Sequence, residues 1–348
     1  MKVRLKKLEE QVVVITGATS GIGLATAKMA AERGARVVLA SRDKADLQRA
    51  VSEIEAAGGE ATFVVADVAN PRQVKDIAEA ALDDFGGFDT WINNAGVSMY
   101  GRLEEVPFED ARRLFDTNYW GVVNGCNAAV PHLRRRGGAL INIGSALSDR
   151  AIPLQGHYCA SKHAVKGYTD ALRMELEEDG APVSVTLVKP SAIDTPYPEH
   201  ARNHMDVEPM NPPPVYATEV VAETILKCAE KPMRDVFVGS GGRLLAGLGT
   251  IAPRLTDRYM EATMFDQQRS DEPARERPRD TLYRPRQGDV DEEGSYPGHV
   301  MQSSVYTRAA LRPSLTRLGL GALGVGLAVA VGTEMFRKQG DGADSNSK

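Results

Sequence analysis

The sequence predicts an α/β domain with a doubly wound parallel sheet of about seven strands, followed by a C-terminal extension. Over roughly the first 250 residues, short β-rich runs alternate with longer helical patterns, which is typical of repeated strand–helix–strand units. The run at 12–15 is entirely apolar, as expected of a strand buried on both faces of a sheet. A glycine-rich loop and an alanine-rich helical pattern follow that run directly.

The remaining elements follow in a regular order along the chain. Strands are expected at 12–15, 36–40, 62–66, 89–92, 140–143, 183–188 and 235–238. Helices are expected at 24–33, 44–57, 108–130 and 162–178, and one more begins at Asn70 and Pro71. Proline suits the first helical turn because its missing N–H would have no partner there. Seven strands interleaved with helices favour a sheet covered on both faces.

Composition and charge exclude several classes of protein. The chain has 348 residues, 42% of them hydrophobic, which excludes wholesale disorder and a polytopic membrane protein. Its net charge of -5 gives no electrostatic reason to expect nucleic acid as a partner. Cys126, Cys159 and Cys228 are too far apart in sequence to indicate a zinc site or a disulfide framework. A reducing compartment, the cytoplasm, is therefore expected.

The loop after the first strand carries three glycines, Gly17, Gly21 and Gly23. Glycine permits a tight turn and lets the backbone approach a bulky anion closely. The N-terminus of the following helix then offers free N–H groups and a partial positive charge. A simple glycine-rich turn is the alternative, but the position between a buried strand and a helix favours a pyrophosphate site.

Further motifs occur in a fixed order behind this loop, and together they resemble the short-chain dehydrogenase/reductase family. The motifs are Gly17 to Gly23 with the spacing TGxxxGxG, Asp67-Val68, Asn93-Asn94-Ala95-Gly96, Asn118, Ser145, Tyr158 to Lys162, and Pro190 to Thr195. The resemblance covers roughly residues 8–239. It implies a Rossmann-type fold, a nicotinamide dinucleotide, a small carbonyl or alcohol substrate, and a homodimer or homotetramer formed through the helices that carry Asn118 and Tyr158.

By this resemblance, the cofactor-binding residues are Gly17, Thr19, Ser20, Gly21, Ile22, Gly23, Ser41, Arg42, Asp67, Val68, Asn94, Ala95, Gly96, Tyr158, Lys162, Pro190, Ile193 and Thr195. Asp67 would meet the adenine amino group, although a helix cap is the alternative for this residue. Thr195 would hydrogen-bond the carboxamide. The family often has Pro-Gly after the sixth strand, where this chain has Pro190-Ser191, and this puts the loop geometry there in doubt.

The end of the second strand bears on the choice between NAD(H) and NADP(H). An acidic residue there would bind the ribose hydroxyls and repel a 2′-phosphate. This chain has Ser41 and Arg42 instead, and the planar fork of an arginine suits a phosphate. NADP(H) is therefore favoured. NAD(H) stays open, because Arg42 as a solvated surface residue is the alternative reading.

Three residues, Ser145, Tyr158 and Lys162, are expected to carry the chemistry. Tyr158 and Lys162 are four apart, so both lie on one face of a helix. A tyrosine pKa of about 10 is too high for proton transfer at neutral pH. The ammonium of Lys162 is expected to lower it.

In this interpretation Ser145 donates a hydrogen bond to a substrate carbonyl oxygen, and Tyr158 is the general acid in reduction and the general base in oxidation. By resemblance, Lys162 also holds the ribose, and the fourth catalytic residue, Asn118, anchors a water in a proton relay. The competing hypothesis is an NADP(H)-binding sensor or membrane-tethered scaffold without turnover. No metal ligands are expected, because the histidine spacing fits no common ligand set.

The expected domain organisation has a catalytic domain at 8–250, a helical or disordered linker at 251–300 and a tail at 301–348. Within the domain, 191–216 is rich in proline and histidine and is predicted to be a substrate lid. The lid and the apolar tail together favour an apolar or lipid-like substrate. Within the linker, 267–294 is half charged and contains three prolines, which predicts an extended or disordered chain.

The tail contains an uncharged Gly/Ala/Leu/Val run at 318–332. As a helix its 15 residues would be only ~22 Å long, against ~30 Å for the hydrocarbon core of a bilayer. Small residues recur every four positions at Ala322, Gly326 and Ala330, a spacing that lets helices approach closely in a membrane. Two interpretations stay open: a short membrane contact that would tether a cytoplasmic protein, or a contact with another protein.

Overall fold

The central sheet has seven parallel strands in the order β12-β7-β6-β4-β1-β2-β3. The computed structural model describes residues 3–275, 280–288 and 290–312. The strands of this sheet are β1 Val12–Thr16, β2 Arg36–Ser41, β3 Glu60–Val65, β4 Thr90–Asn93, β6 Gly138–Ile143, β7 Val183–Pro190 and β12 Asp235–Val238. The predicted Rossmann-type doubly wound fold is confirmed. Strand order reverses between β1 and β4, so a crevice opens at their carboxyl ends.

Helices cover both faces of the sheet. The helices of the described residues, whichever part of the chain they belong to, are α1 Gly21–Glu32, α2 Lys44–Ala56, α3 Pro71–Phe85, α4 Phe108–Phe115, α5 Gly121–Arg136, α6 Gly156–Glu178, α7 Tyr197–His200, α8 Thr218–Glu230, α9 Ser240–Ile251, α10 Pro253–Gln267 and α11 Val305–Ala310. The short strands are β5 Met99–Tyr100, β8 Ala192–Ile193, β9 Arg202–Asn203, β10 Val207–Pro209, β11 Val215–Tyr216, β13 Arg269–Pro273 and β14 Val300–Met301. Single 3-10 turns lie at Leu8–Glu10 and Ala146–Ser148.

The local sequence explains where these elements begin and end. All five residues of β1 are buried, as the apolar run predicts. The side chain of Asp43 accepts a hydrogen bond from the N–H of Asp46 and so caps α2. Asn70 caps α3 in the same way, with Pro71 as the first helical residue.

The helix predicted at 108–130 is interrupted by a π-helical turn at Asp116–Trp120. This turn carries Asn118, whose side-chain amide bonds to both the N–H and the C=O of Val97 on the neighbouring loop. π turns are frequent at functional sites, and periodicity alone does not reveal them because the flanking pattern stays helical. Helix α6 also begins at Gly156 rather than at residue 162, because burial of Tyr158 and Cys159 outweighs the poor helix propensity of this segment.

The prediction for 251–300 is a helical or disordered linker, and the described residues of this segment include a helix and a strand. This stretch contains α10 and β13, and β13 pairs with β10 in antiparallel fashion. The side chain of Leu282 is fully buried. Composition misled here because many of the charges have partners: Arg269 pairs with Asp206 at 2.6 Å, and Asp280 with Arg202 at 2.8 Å. The compact unit therefore extends over Met1–Ser304, well beyond the predicted boundary at residue 250.

The second unit is Val305–Lys348, and its described part consists of α11 and the residues up to Arg312. The apolar run at 318–332 lies outside the described residues. Within the described residues, none of the helices has the length and the apolar character needed to span a bilayer.

Two helical glycines give a matched test of the packing. A side chain at Gly125 of α5 would overlap the Oδ1 atom of Asn93, which accepts a hydrogen bond from Trp91. Gly167 of α6 has open space around it. We expect Gly125→Ala to lower the free energy of unfolding by about 1–3 kcal/mol, because overpacking strains a buried network. Gly167→Ala should raise it by up to about 1 kcal/mol through helix propensity. Urea unfolding of both variants checks this, and equal effects would contradict the described packing.

Candidate active site

A single cleft of about 340 Å³ runs along the carboxyl ends of the sheet strands, from Arg42 to Met264. The structure brings almost all of the predicted site residues together in its wall. The predicted residues that line the cleft are Gly17, Thr19, Ser20, Gly21, Ile22, Ser41, Arg42, Asp67, Val68, Asn94, Ala95, Gly96, Ser145, Tyr158, Lys162, Pro190, Ile193 and Thr195. Gly23 and Asn118 do not line it; they lie behind the wall.

The loop between β1 and α1 needs its glycines. Gly17 has a φ of +66°, and a Cβ there would lie 2.8 Å from the Cα of Ala95. A Cβ on Gly23 would overlap the carbonyl oxygen of Gly17. The N-terminus of α1 therefore reaches the cleft with Gly21 and Ile22 in its wall. A cradle of backbone at a helix N-terminus fits the pyrophosphate of a dinucleotide.

One end of the cleft is formed by the ends of β2 and β3. The hydroxyls of Ser41 and Thr19 are 3.0 Å apart. Arg42 donates from Nη2 to the carbonyl oxygen of Thr281 at 2.5 Å, while its buried Nη1 has no partner among the described residues. Burial lowers the pKa of Arg42. The guanidinium of Arg42 thus lies in the cleft wall with one nitrogen hydrogen-bonded and another without a partner among the described residues. The interpretation of Arg42 as a solvated surface residue was wrong.

Asp67 lies at the same end of the cleft. One oxygen of its carboxylate accepts a hydrogen bond from Nη2 of Arg113 at 2.5 Å, and the other accepts one from the N–H of Ala69 at 3.0 Å. The alternative reading of Asp67 as a helix cap was wrong, since Asn70 caps the following helix. Contact of Asp67 with an adenine amino group stays a prediction.

The other end of the cleft holds Ser145, Tyr158 and Lys162, all of them buried. Ser145 follows β6 and lines the same cleft as Tyr158, and its Oγ accepts the N–H of Leu147 at 3.0 Å. The Nζ of Lys162 donates to the carbonyl oxygen of Ile143 at 2.8 Å and lies 5.7 Å from the ring centroid of Tyr158. A hydroxyl, a phenol and an amine therefore meet beside the nucleotide-binding loop.

Burial shifts both ionisable groups of this trio. It raises the pKa of Tyr158 to about 12, although hydrogen bonds from Tyr197 and Ser145 work in the opposite direction. It lowers the pKa of Lys162 to about 8. Removal from water is the largest cause of the rise at Tyr158, and the lowering of this pKa by Lys162 together with an oxidised nicotinamide stays a prediction. At neutral pH the phenol holds its proton and the amine is mostly charged.

Asn118 supports the wall of the cleft from behind. Its Nδ2 donates to the carbonyl oxygen of Val97 at 2.9 Å and to Oγ of Ser161 at 3.1 Å, and its Oδ1 accepts the N–H of Val97 at 2.8 Å. A Cβ on Gly96 would lie 3.5 Å from Oδ1 of Asn118 and 3.8 Å from Nζ of Lys162, so both side chains are near this loop. The contacts of Asn118 fix that loop, and its role in a water relay stays a prediction.

The departure from the family pattern at Ser191 has a structural use. Ser191 keeps a negative φ, and its N–H donates to the carbonyl oxygen of Val238 at 2.9 Å. Its Oγ accepts the N–H of Gly242 at 3.2 Å. The serine therefore ties the exit of β7 to the start of α9.

Sequence reasoning missed several residues of the cleft. These include the apolar Leu147, Ile152, Leu245, Met260 and Met264, and the polar Gln155, Tyr197 and His200. The two methionines lie in a stretch that its composition assigned to a linker. Tyr197 lies two residues after the predicted site residue Thr195, and this short distance in sequence was the signal that could have identified it as part of the site.

Residues 280–288 and 290–296, here called the strap, cross the nucleotide end of the cleft. The carbonyl oxygens of Thr281 and Leu282 accept hydrogen bonds from Arg42 and Arg113. The carbonyl oxygen of Asp291 accepts the N–H of Gly21 at the N-terminus of α1, at 2.9 Å. Glu292 pairs with Lys28 of the same helix, also at 2.9 Å. The strap thus accepts hydrogen bonds from Arg42, Arg113 and the N–H of Gly21, groups that could otherwise donate to an anion in the cleft.

Comparison with known proteins agrees with this geometry. The family model for short chain dehydrogenase matches residues 11–206. The chain is 48% identical over 315 residues to the uncharacterized oxidoreductase YxnA of Bacillus subtilis (strain 168), covering 90% of this chain and 88% of that protein.

Two solved structures are also similar. One is a short chain dehydrogenase/reductase from Burkholderia phymatum in complex with NAD, with a TM-score of 0.65, 29% identity, and coverage of 72% of this chain and 96% of that chain. The other is L-sorbose reductase from Gluconobacter frateurii complexed with NADPH and L-sorbose, with a TM-score of 0.58, 25% identity, and coverage of 68% and 97%.

The protein belongs to the short-chain dehydrogenase/reductase family. It is accordingly an oxidoreductase that uses a nicotinamide dinucleotide, with a small molecule as its substrate.

Leu282 offers a test of the strap. It is fully buried in a cluster with Val97, Met99, Leu114 and Tyr158. We expect Leu282→Ala to remove about 2–5 kcal/mol of packing. Because the strap is peripheral, it should open locally, and amide hydrogen exchange in 280–288 should accelerate at least about tenfold while the sheet stays protected. Leu255→Ala, at an exposed leucine, is the control. Unchanged protection of the strap in Leu282→Ala would show that it is not anchored as described.

Proposed function

We propose that the protein interconverts a ketone or aldehyde and the corresponding alcohol with NADP(H), that Tyr158 is the general acid and base, and that the substrate is apolar or lipid-like. The observation that carries this proposal is the meeting of Ser145, Tyr158 and Lys162 in the same cleft as the glycine-rich loop. The residues of that loop fit a dinucleotide pyrophosphate, and the trio supplies a proton donor, a hydrogen-bond donor and a cation.

Residues of the protein itself hold and transfer the proton. When bound, the nicotinamide supplies or accepts the hydride at the substrate carbon. Tyr158 holds its proton at neutral pH and donates it to the carbonyl oxygen in reduction. Ser145 donates a hydrogen bond to the same oxygen and stabilises the charge that develops there. Lys162 donates one hydrogen bond to the carbonyl oxygen of Ile143. Its remaining N–H groups, which have no partner among the described residues, are available to hold the ribose and to stabilise the phenolate of Tyr158.

The preference for NADP(H) rests on Arg42. Its buried Nη1 is a donor that still lacks a partner among the described residues, and Ser41 stands beside it in the cleft wall. A 2′-phosphate would accept hydrogen bonds from both groups and attract the guanidinium charge, whereas a ribose hydroxyl would offer only a neutral acceptor. Arg286 of the strap also lines the cleft and adds a second positive charge.

The preference for an apolar substrate rests on the chemical end of the cleft. Its far wall is formed by Ile152, Leu245, Met260 and Met264, with the segment 191–216 alongside. Methionine side chains adapt to irregular apolar shapes. We propose that 191–216 is the lid over this substrate. The dimer or tetramer through the helical segments that carry Asn118 and Tyr158 stays a prediction, and so does the cytoplasmic location.

The competing function is a sensor that binds NADP(H) without turnover. It would need the same nucleotide end and would make no use of the trio. The meeting of Ser145, Tyr158 and Lys162 in the wall of one cleft favours an enzyme. Stoichiometric cofactor binding with no oxidation of NADPH across a broad panel of carbonyls would favour the sensor.

A carbonyl panel with Tyr158→Phe tests the proposed reaction. We expect NADPH consumption with at least one ketone or aldehyde, and at least about a 100-fold loss of turnover in the variant, because one proton-transfer group contributes 10²–10⁴ in rate. Tyr259→Phe, at a half-exposed tyrosine outside the cleft, is the control and should be unchanged. Near-normal turnover in Tyr158→Phe would refute the role of this phenol.

Arg42 tests the choice of cofactor. We expect Arg42→Ala to weaken NADPH binding by about 10- to 100-fold, since hydrogen bonds to charged groups contribute about 1.5–3 kcal/mol. Arg42→Asp should in addition shift preference towards NADH. Arg49→Ala, at a half-exposed arginine of α2, is the control. Dissociation constants for NADPH and NADH are measured by fluorescence titration, and an unchanged ratio of the two in both Arg42 variants would contradict the cofactor assignment.

A further inference from the structure

The strap lies outside the part of the chain that the family model matches, which is residues 11–206. Three of its residues, Thr281, Pro285 and Arg286, nevertheless line the nucleotide end of the cleft together with Ser41 and Arg42. The family resemblance therefore assigns no role in the site to these three strap residues.

Two hydrogen bonds hold the strap on the turn between β2 and α2. The carbonyl oxygen of Thr281 accepts a hydrogen bond from Nη2 of Arg42 at 2.5 Å. The N–H of Gly288 donates to Oδ1 of Asp46, in the first turn of α2, at 3.2 Å. Arg286 lies between these two attachment points, two residues before Gly288. The segment that carries Arg286 therefore lies against the same turn that carries Arg42.

The two arginines at this end of the cleft lack a carboxylate partner. Arg286 is half-buried and has neither a hydrogen bond nor an ion pair within the described part of the chain. Nη1 of Arg42 likewise has no partner there. The carboxylates that line this end already have partners, which are the N–H of Asp46 for Asp43, Arg49 for Asp46 and Arg113 for Asp67.

A phosphate monoester is the anion that matches two such arginines. At pH 7 it carries a charge of about −1.5 to −2 and three strong acceptor oxygens. A single arginine would neutralise only part of this charge, whereas the planar forks of Arg42 and Arg286 can donate to different oxygens of one phosphate. The 2′-hydroxyl of NAD(H) is neutral and does not attract a guanidinium charge.

We propose that Arg286 is a specificity-determining residue that binds the 2′-phosphate of NADP(H) together with Arg42 and Ser41. The strap thereby supplies part of the cofactor site from a segment beyond the family domain. This inference rests on the proposed use of NADP(H), and it adds to that proposal a second arginine that selects the cofactor.

A purely structural role for Arg286 is the competing interpretation. Arg286 also borders a second cavity, whose acidic residues are Glu199, Glu219, Asp291, Glu292 and Glu293. An arginine that only balanced these carboxylates would hold the strap in place and would affect the binding of NADPH and NADH equally. A 2′-phosphate ligand would instead make the effect selective for NADPH.

Nucleotide binding to single variants tests the proposal. We expect Arg286→Ala to weaken NADPH binding about tenfold, because a hydrogen bond to a charged group is lost, and to change NADH binding by less than about twofold. Arg284→Ala, at an exposed arginine of the strap that does not line the cleft, is the control and should change neither. Dissociation constants are measured by fluorescence titration. Equal losses for NADPH and NADH in Arg286→Ala, or no loss for NADPH, would overturn the proposal.

A charge series at the same position gives a second readout. The loss of affinity for NADPH should be smallest in Arg286→Lys, which keeps the charge but loses the planar fork, and largest in Arg286→Glu, which repels the phosphate. Affinity for NADH should stay nearly constant across the series. A structural role would instead move both nucleotides together, and that outcome would overturn the proposal.

Fragments of the cofactor separate this inference from the proposed reaction. Adenosine 2′,5′-bisphosphate and AMP differ only in the 2′-phosphate, and neither carries a nicotinamide, so calorimetric titration with them does not depend on turnover. Weaker binding of the bisphosphate alone in Arg286→Ala, in a protein that reduces none of the carbonyls, would refute the proposed reaction and keep the role of Arg286.

The opposite failure has its own signature. Reduction of a carbonyl with NADPH, with selectivity for NADPH that falls in Arg42→Ala and is unchanged in Arg286→Ala, would keep the proposed function and remove the role of Arg286. Equal affinity of the unsubstituted protein for the bisphosphate and AMP would refute both the choice of NADP(H) and the role of Arg286.

Discussion

The rest of the site depends on one constraint, the burial of a phenol and an amine side by side at the carboxyl edge of the sheet. Burial disfavours the charged form of each group, so it raises the pKa of Tyr158 to about 12 and lowers that of Lys162 to about 8. Every neighbour that donates to Tyr158 or accepts from Lys162 partly offsets this cost. Ser145, Ile143 and Tyr197 are those neighbours.

The fold supplies these neighbours from different parts of the chain. Ile143 ends β6 and Ser145 follows it, so the reversal of strand order sets their position. Helix α6 carries Tyr158 and Lys162 on one face, and the π turn with Asn118 braces the loop in front of them. The strap closes the opposite end, where its carbonyl oxygens hold Arg42 and the N-terminus of α1.

Much of the fold and of the candidate site could be predicted from the sequence, because the sheet and the glycine-rich loop follow from local patterns. The apolar run of β1 and the spacing of Tyr158 and Lys162 depend on near neighbours only. The strap could not be predicted, since half of its region is charged and the partners of those charges lie up to hundreds of residues away, as with Glu292 and Lys28. The π turn was hidden for a related reason: its cause is a contact of Asn118 with a distant loop. Burial also raises the pKa of Tyr158, and periodicity does not report how deeply a single side chain is buried.

The most direct measurement is a crystal structure of the protein with NADP⁺ and an alcohol identified in the carbonyl panel. We expect the phenolic oxygen of Tyr158 to lie about 2.6–3.2 Å from the substrate oxygen, the range needed for proton transfer. We also expect Ser145 to donate to that oxygen from the other side. A substrate oxygen that faces another group, with Tyr158 screened from it by protein atoms, would refute the role of Tyr158 as general acid and base.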